Sequence, residues 1–584
     1  MQDKPHSSAG NKIAPFRRKF FDSDEVITRI GHGSLGGKAL GLAFIKDTIK
    51  NGLDPKDYQS IATNIPTLTV IATDHFDTFM HQNDLYDTGL SNIPDDRIAH
   101  AFQNAELPVE LLGDLRTLIS KVHSPLAIRS SSLLEDAIYE PFAGVYVTKM
   151  IPNNQPDTDT RFQKLVEAIK FVYSSVFFKD AKSYIGATKQ SIENEKMAVI
   201  IQEVVGKRHW DRFYPHISGV ARSYNFYPTG HANPEDGVVD LALGLGKTIV
   251  DGDRSWTYSP AFPKAVPPYN SIGDLLKETQ TEFWTINMGR PPEYDPIKET
   301  EYMMKGNLKD AELDGTLDFL ASTYVPDRDR ISPGIGAKGP RLLNFAPILV
   351  NTQIPLNNLI KTLLKLCEDA VGTAVEIEFA ITLDNRTGLP ARFGFLQVRP
   401  MVVSDEKVDV SMDELIGDNI LAASENVLGN GIIDGIQDVV YVKPESFSAQ
   451  NSPHIAMELE NLNRKFISSG NPYLLIGFGR WGSSDPWLGI NVNWGQISGA
   501  KVIVEATLPD MNVELSQGSH FFHNITSLKI SYFSVHHEGK YKIKWGWLDR
   551  QNVVTEMNYV KHVKLESPLK IKVDGRSGRG VILK

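Results

Sequence analysis

Apolar and polar positions change period several times along this chain, and each change marks an element. Over residues 359–371, Leu359, Ile360, Leu363, Leu364, Cys367, Ala370 and Val371 recur at three- and four-residue spacing. That predicts an amphipathic helix with Cys367 on its buried stripe. Just beyond, Val375-Glu376-Ile377-Glu378-Phe379 alternates apolar and acidic residues, the two-residue period of a strand, so both carboxylates fall on one face. Gly394-Phe395-Leu396-Gln397-Val398-Arg399-Pro400 predicts a second strand, with Gln397 and Arg399 sharing a face. Residues 21–150 alternate helix and strand. Residues 151–260 bring a helix, strands near 197–205 and 216–227, and a glycine loop at 244–246. Pro and Gly clusters within 262–345, such as Pro267-Pro268 and Ser332-Pro333-Gly334, predict a long excursion over a cleft. Residues 1–20 read as a polar arm and 403–413 as a hydrophilic connector. The expected organisation is therefore an arm at 1–20, a large domain at 21–405 and a smaller one at 414–584.

The C-terminal block predicts strands at 530–535, 541–548, 553–563 and 569–573, with His536–Lys540 turning one hairpin. Gly477-Phe478-Gly479-Arg480-Trp481-Gly482 follows the strand Tyr473–Ile476 and imitates a dinucleotide-binding glycine motif. Such a motif must open a helix, and Pro486 with Gly489 argues against one; a tight turn exposing Arg480 and Trp481 is expected instead. In Gln517–Leu528, Ser519 can cap a short helix that buries Phe521, Ile525 and Leu528 and places His520 and His523 on another face. That pair is open to three readings: surface residues, metal ligands, or a phosphoryl-accepting imidazole. Gly244-Leu245-Gly246-Lys247-Thr248 imitates the end of a P-loop, but Leu241 stands where the first glycine is required.

Composition narrows the class. A length of 584 residues suggests roughly three to four compact units. A net charge of −10 argues against general nucleic-acid or membrane-surface binding. The single cysteine excludes an internal disulfide framework and a cysteine zinc site. No run approaches the ~20 apolar residues of a membrane span, and the first residues carry no apolar signal core, so a cytoplasmic location is expected.

Candidate chemistry gathers at four places. Arg129 ends the apolar run Pro125-Leu-Ala-Ile128 and is followed by Ser130, Ser131 and Ser132, then Glu135-Asp136 and Phe142-Ala143-Gly144. Its planar fork of donors suits phosphate oxygens, with the hydroxyls adding short donors around the same anion. Gly33-Ser34-Leu35-Gly36-Gly37-Lys38 is a glycine-rich turn opening onto a helix, where backbone amides and a mobile cation favour an anion. The carboxylates Glu376 and Glu378 suit a hard divalent cation, and Mg2+ usually arrives with substrate phosphates. Gln397 and Arg399 on the next strand complete a metal–phosphate clamp.

Taken in order, these motifs resemble the nucleotide-binding part of the pyruvate phosphate dikinase and phosphoenolpyruvate synthase family. Met197–Val205, Ser218-Gly219-Val220, Leu243-Gly244-Leu245-Gly246 and Val250-Asp251-Gly252 extend the likeness over about residues 20–405. The resemblance implies an α+β chain: an ATP-grasp-type fold of two lobes that close over Mg-ATP, followed by a smaller, β-rich α+β domain. It implies that Lys38 and Arg129 hold ATP phosphates with Gly36, Gly37 and Ser130 around them. Gln397 and Arg399 would sit at the phosphates being cleaved, Gln202 and Glu203 near the adenine, and Gly244 and Gly246 at the border of the cleft. Glu376 and Glu378 would bind Mg2+. Lys38, Arg129 and Arg399 would be the catalytic set. Two positions depart from the family pattern: Glu376 stands where aspartate is usual, and Lys247 where the synthases commonly have an acid. The family's phosphocarrier histidine motif is not found, and the residues after 405 leave no room for a pyruvate-binding barrel of ~250 residues, so pyruvate does not follow as substrate. The expectation is a dikinase-type phosphotransferase using ATP and Mg2+, with an unidentified small-molecule or protein acceptor. Two alternatives stay open: a non-catalytic ATP-binding sensor acting through the C-terminal domain, and a kinase half serving a separate carrier protein. Self-association stays open as well.

Overall fold

The computed structural model describes residues 13–18, 25–132, 135, 144–186, 191–226, 228, 231–265, 271–352, 354–383, 390–401, 403, 408–482, 487, 489–492, 494–509, 511 and 530–584. These form two compact units. One takes the described residues within 1–181, 191–225 and 229–401; the other takes those within 182–190, 226–228 and 402–584.

The first unit is built on two six-stranded sheets. One runs in the order Ala14–Pro15, Ile27–Ile30, Leu68–Ile71, Met197–Glu203, Leu126–Ser132, Thr148–Ile151. The other runs Trp256–Tyr258, Val238–Ala242, Ile217–Arg222, Val375–Thr382, Ala391–Pro400, Ile61–Asn64. Period-two alternation gives the second sheet its two chemistries. Ile217, Ala221, Leu241, Ile377, Phe379 and Phe393 enter the core, and the intervening Arg222, Asp240, Glu376 and Glu378 lie on the opposite face.

Helix Gly36–Gly52 joins the two sheets. Its Leu42, Ile45 and Ile49 share one hydrophobic core with Val70 and Ile200 of the first sheet and with Ile377 and Phe393 of the second. Internal glycines cost about 1 kcal/mol each relative to alanine, which the burial of three branched side chains at ~1.5–3 kcal/mol each offsets. Gly41 has a structural use as well. A β-carbon there would stand 3.3 Å from the Val398 carbonyl, so glycine lets the helix lie close on the Ala391–Pro400 strand. The predicted helix at 359–371 is present as Leu356–Val371, ended by Gly372 in the left-handed region. Cys367 is fully buried on it, and burial pushes its thiol up to about 12.

The stretch 262–345, expected as a long excursion, carries sheet structure. Glu282–Asn287 and Met303–Asn307 join Lys207–His209 and Arg212–Tyr214 in a four-stranded sheet. Ala321–Val325, Arg330–Pro333 and Arg341–Leu343 make a three-stranded one. The prolines and glycines punctuate these short strands instead of replacing them.

The second unit centres on a nine-stranded sheet whose inner strands Gly431–Val442, Tyr473–Phe478, Ala500–Ala506 and Ser531–Val535 are mutually parallel. Helix Ser452–Ser469 connects the first two of these. The chain is thus α+β throughout, with a β-rich second unit, as expected. Three local expectations fail. Ser531–Val535 pairs in parallel with Ala500–Ala506, so His536–Lys540 closes no hairpin. Residues 541–548 hold no strand; they end in the short helix Trp545–Leu548. The run 553–563 is broken by a turn, because the Glu458 carboxylate accepts the amides of Asn558, Tyr559 and Val560 and folds it into Asn552–Glu556 and Val560–Asp574. Trp481 also corrects the expected exposed turn. It is 1% exposed, packs over Gly477, and donates its indole N–H to the Val504 carbonyl. His520 and His523, with the rest of 517–528, lie outside the described residues. Among the described residues no helix is long and apolar enough to cross a membrane.

Candidate functional site

The site is assembled from the polar face of the second sheet, the end of the Leu126–Ser132 strand and the start of helix Gly36–Gly52. At that helix start, Gly36 has φ +74°, and a β-carbon would fall 1.8 Å from the Ser131 carbonyl. Only glycine lets the turn press against the arginine strand. Gly37 follows it into the helix. Ser131 closes the junction, donating to the Leu35 carbonyl and accepting the Ala39 amide at 3.2 Å. It is therefore committed to the helix start.

Lys38 points from the first turn to the buried Glu135, 2.8 Å from Oε1, and lies 3.4 Å from the Ser130 hydroxyl. Ser130 donates to the same Glu135 oxygen, while the other oxygen accepts the Ser132 amide. Behind Glu135 lies a second buried acid, Glu195, which accepts from the hydroxyls of Ser132 and Tyr146. Burial, reinforced by the charge of Glu135, pushes Glu195 up to about 7.

Arg129 crosses from its own sheet to the other. Nη2 donates to the Gln397 carboxamide oxygen at 2.8 Å and to Glu378 Oε2 at 3.2 Å; Nη1 donates to the Leu396 carbonyl at 3.2 Å and to Gln202 Oε1 at 3.4 Å. From there an alternating chain of charges continues. Glu378 Oε1 accepts from Arg399 Nη2, and Arg399 Nε lies 3.2 Å from Glu376 Oε1. Glu376 Oε2 accepts from Arg222 Nε at 2.7 Å, and Arg222 Nη1 donates to Asp240 Oδ2 at 3.1 Å. Thr257 donates to the other Asp240 oxygen. Burial alone would lower the pKa of Arg222, but Glu376 and Asp240 outweigh it and raise it. Buried ion pairs gain little net stability against their desolvation. A run of six charges at a junction of sheets is therefore better explained as a site than as a brace.

Sequence reasoning named Lys38, Arg129, Ser130, Gln202, Glu376, Glu378, Gln397 and Arg399, and the fold brings all of them to this junction. The arginine cluster takes Gln202 by its oxygen, and its Nε2 is buried with no hydrogen-bond partner among the described residues. Glu203 points elsewhere on its strand, accepting from the Ser124 hydroxyl at 2.6 Å. Gly244 and Gly246 flank the polar face beside Ser218, whose hydroxyl donates to the Gly244 carbonyl at 2.6 Å. Lys247 is turned to Asp251 at 3.1 Å and to Glu299 at 4.0 Å. Arg222, Asp240 and Glu195 were missed. The signal for Arg222 had the form of Arg129's: a single arginine closing an apolar strand, at even spacing from Ser218 and Val220.

A family model described as the AMP/ATP-binding domain of pyruvate phosphate dikinase matches residues 32–417. A search of curated proteins finds no match.

Proposed function

The chain belongs to the pyruvate phosphate dikinase AMP/ATP-binding family, and from that premise we propose that it is an ATP-dependent phosphotransferase of the dikinase type. The observation that supports this most is the reach of Arg129. One guanidinium links Gln202 of one sheet to Glu378, Gln397 and the Leu396 carbonyl of the other, beside a lysine at a helix start. A triphosphate laid across that junction would take Lys38, Arg129 and Arg399 as charge-bearing donors, with Ser130 and the glycine turn at Gly36-Gly37 around it. The buried Nε2 of Gln202 offers a further donor, on the side where the family resemblance places the base. Gly244 and Gly246 would border the cleft.

The donor set fits Mg2+ chemically. Glu376, Glu378 and Gln397 offer oxygen only, and Mg2+ typically takes one or two carboxylates and completes its shell with water and substrate phosphates. That agrees with the described residues containing no group of three or more His, Cys, Asp or Glu placed to hold an ion by themselves. Bound there, Mg2+ would neutralise charge on the phosphate oxygens. The chain's own groups would do the remainder: Lys38, Arg129 and Arg399 would hold the phosphates in line, and Gln397 would orient Arg129. The acceptor would be a small molecule or a protein nucleophile.

The test is a product assay with purified protein and Mg-ATP, read beside intact mass. AMP with a gain of one phosphate on the protein, the other phosphoryl group passing to water as inorganic phosphate, is the expected result, and peptide mapping then examines His520 and His523. AMP without modification would mean direct transfer to water or to a copurified acceptor. ADP alone would refute the dikinase assignment. ATP binding with no product under an acceptor screen would favour the sensor alternative.

A further inference from the structure

Each carboxylate oxygen of Glu376 and Glu378 faces a guanidinium, and the caps differ in kind. Glu378 is held by Arg399 and Arg129, the two arginines that phosphate oxygens would claim under the function proposed above, on which this inference rests. Glu376 is held by Arg399 on one oxygen and by Arg222 on the other. Arg222 has a prior commitment. Its Nη1 is tied to Asp240, which is buried and anchored by Thr257, and it belongs to none of the phosphate-binding motifs. Each carboxylate oxygen keeps a second lone pair, but a guanidinium lying against it offsets its charge and repels an incoming cation, so binding strengthens when the guanidinium leaves. Phosphates arriving at Arg129 and Arg399 would release both oxygens of Glu378 and one of Glu376. Tied to Asp240 and outside the phosphate-binding motifs, Arg222 would keep its place on Glu376.

We infer that Arg222, fixed by Asp240, is a positioning residue that caps Glu376 and weakens divalent-cation binding at this site in the absence of nucleotide. Nucleotide phosphates drawing Arg129 and Arg399 away would strengthen metal binding in the wild type, and removing the Arg222 cap strengthens it without nucleotide.

The experiment measures Mn2+ binding to the full chain by electron paramagnetic resonance, with and without the β,γ-imido analogue of ATP. Wild-type protein should bind Mn2+ with the analogue and at least ~10-fold more weakly without it, the range by which a lost or gained outer partner changes metal affinity. Arg222→Met combined with Asp240→Asn removes the cap without stranding a buried charge, and the carboxamide oxygen at position 240 can still accept from Thr257. This double variant should gain at least ~10-fold in Mn2+ affinity without nucleotide. Arg222→Lys with Asp240 intact keeps a cation beside Glu376 and should behave as wild type in the absence of nucleotide. Tight Mn2+ binding by nucleotide-free wild type, or no gain in the folded double variant, would overturn the inference. If wild type binds neither analogue nor Mn2+ in its presence, the phosphotransferase reading itself fails. Circular dichroism of each variant separates these results from loss of fold.

Discussion

Glu195 offers a measurable consequence of how the Lys38 end of the site is built. It is 5% exposed, and its acceptors are satisfied by two hydroxyls, Ser132 and Tyr146, with no cation among its causes of shift. Burial therefore dominates and lifts it from 4.5 to about 7. The sign follows from proton counts. Below pH 4.5 both folded and unfolded chains carry the proton, and the group contributes no difference. Between about 4.5 and 7 the unfolded glutamate has lost its proton while the folded one keeps it, so stability falls as pH rises. Above 7 the penalty is constant. At about 1.4 kcal/mol per pH unit, that interval is worth ~3 kcal/mol. Glu195→Gln keeps an oxygen that accepts from Tyr146 and cannot ionise. The difference in urea unfolding between variant and wild type should be near zero at pH 4.5 and grow to ~3 kcal/mol in the variant's favour by pH 8. Titrating groups not coupled to Glu195 are common to both proteins and cancel in that difference. Parallel stability curves across the whole range would refute the assignment of a buried, proton-holding Glu195.

Two substitutions test the phosphate end directly. Lys38→Met with Glu135→Gln removes the cation together with its buried partner; nucleotide affinity should fall about 10- to 100-fold, the ~1.5–3 kcal/mol of a charge-assisted hydrogen bond, with the melting curve preserved. Titration calorimetry with the β,γ-imido analogue reads it. Gly36→Ala places a β-carbon 1.8 Å from a backbone carbonyl at φ +74°; it should cost at least ~3 kcal/mol of stability and weaken nucleotide binding with it, as seen in paired urea and calorimetric titrations.

Period and spacing made a specific part of this chain legible. The two-residue alternation at 375–379 placed both acids on one face, and a register pairing Glu376 with Arg399 and Glu378 with Gln397 makes that face a site. The 359–371 stripe gave its helix and the burial of Cys367 because both follow from local geometry alone. The failures are non-local. The β-rich tail has the right propensities, but strand pairing depends on partners distant in sequence: Ser531–Val535 takes a parallel neighbour, and a single glutamate, Glu458, bends the run at 557–559. Trp481 looked exposed because its turn is glycine-rich, whereas the missing side chain of Gly477 is the space its ring fills.

Arg222 and Asp240 were illegible for a related reason, and they change how the site works. Motifs single out groups that would touch a ligand, whereas these two touch other charges and, through Asp240, the Thr257 hydroxyl. Yet the six charges from Arg129 to Asp240 are a connected system, and under the proposed function nucleotide phosphates would compete with carboxylates already beside the arginines. A phosphate contact that displaced a carboxylate would exchange one charge-assisted bond for another, so such contacts to Arg129 and Arg399 would add selectivity for anions in greater measure than raw affinity. Net gain must come from what the resting site leaves unsatisfied, such as Gln202 Nε2, and from the carboxylate oxygens that become available to a cation once the arginines turn. A cation that bridges those oxygens to phosphate supplies the attraction the exchange alone lacks. Nucleotide binding that depended steeply on the divalent cation would follow from this arrangement, and binding indifferent to it would mean the arginines do not leave their carboxylates.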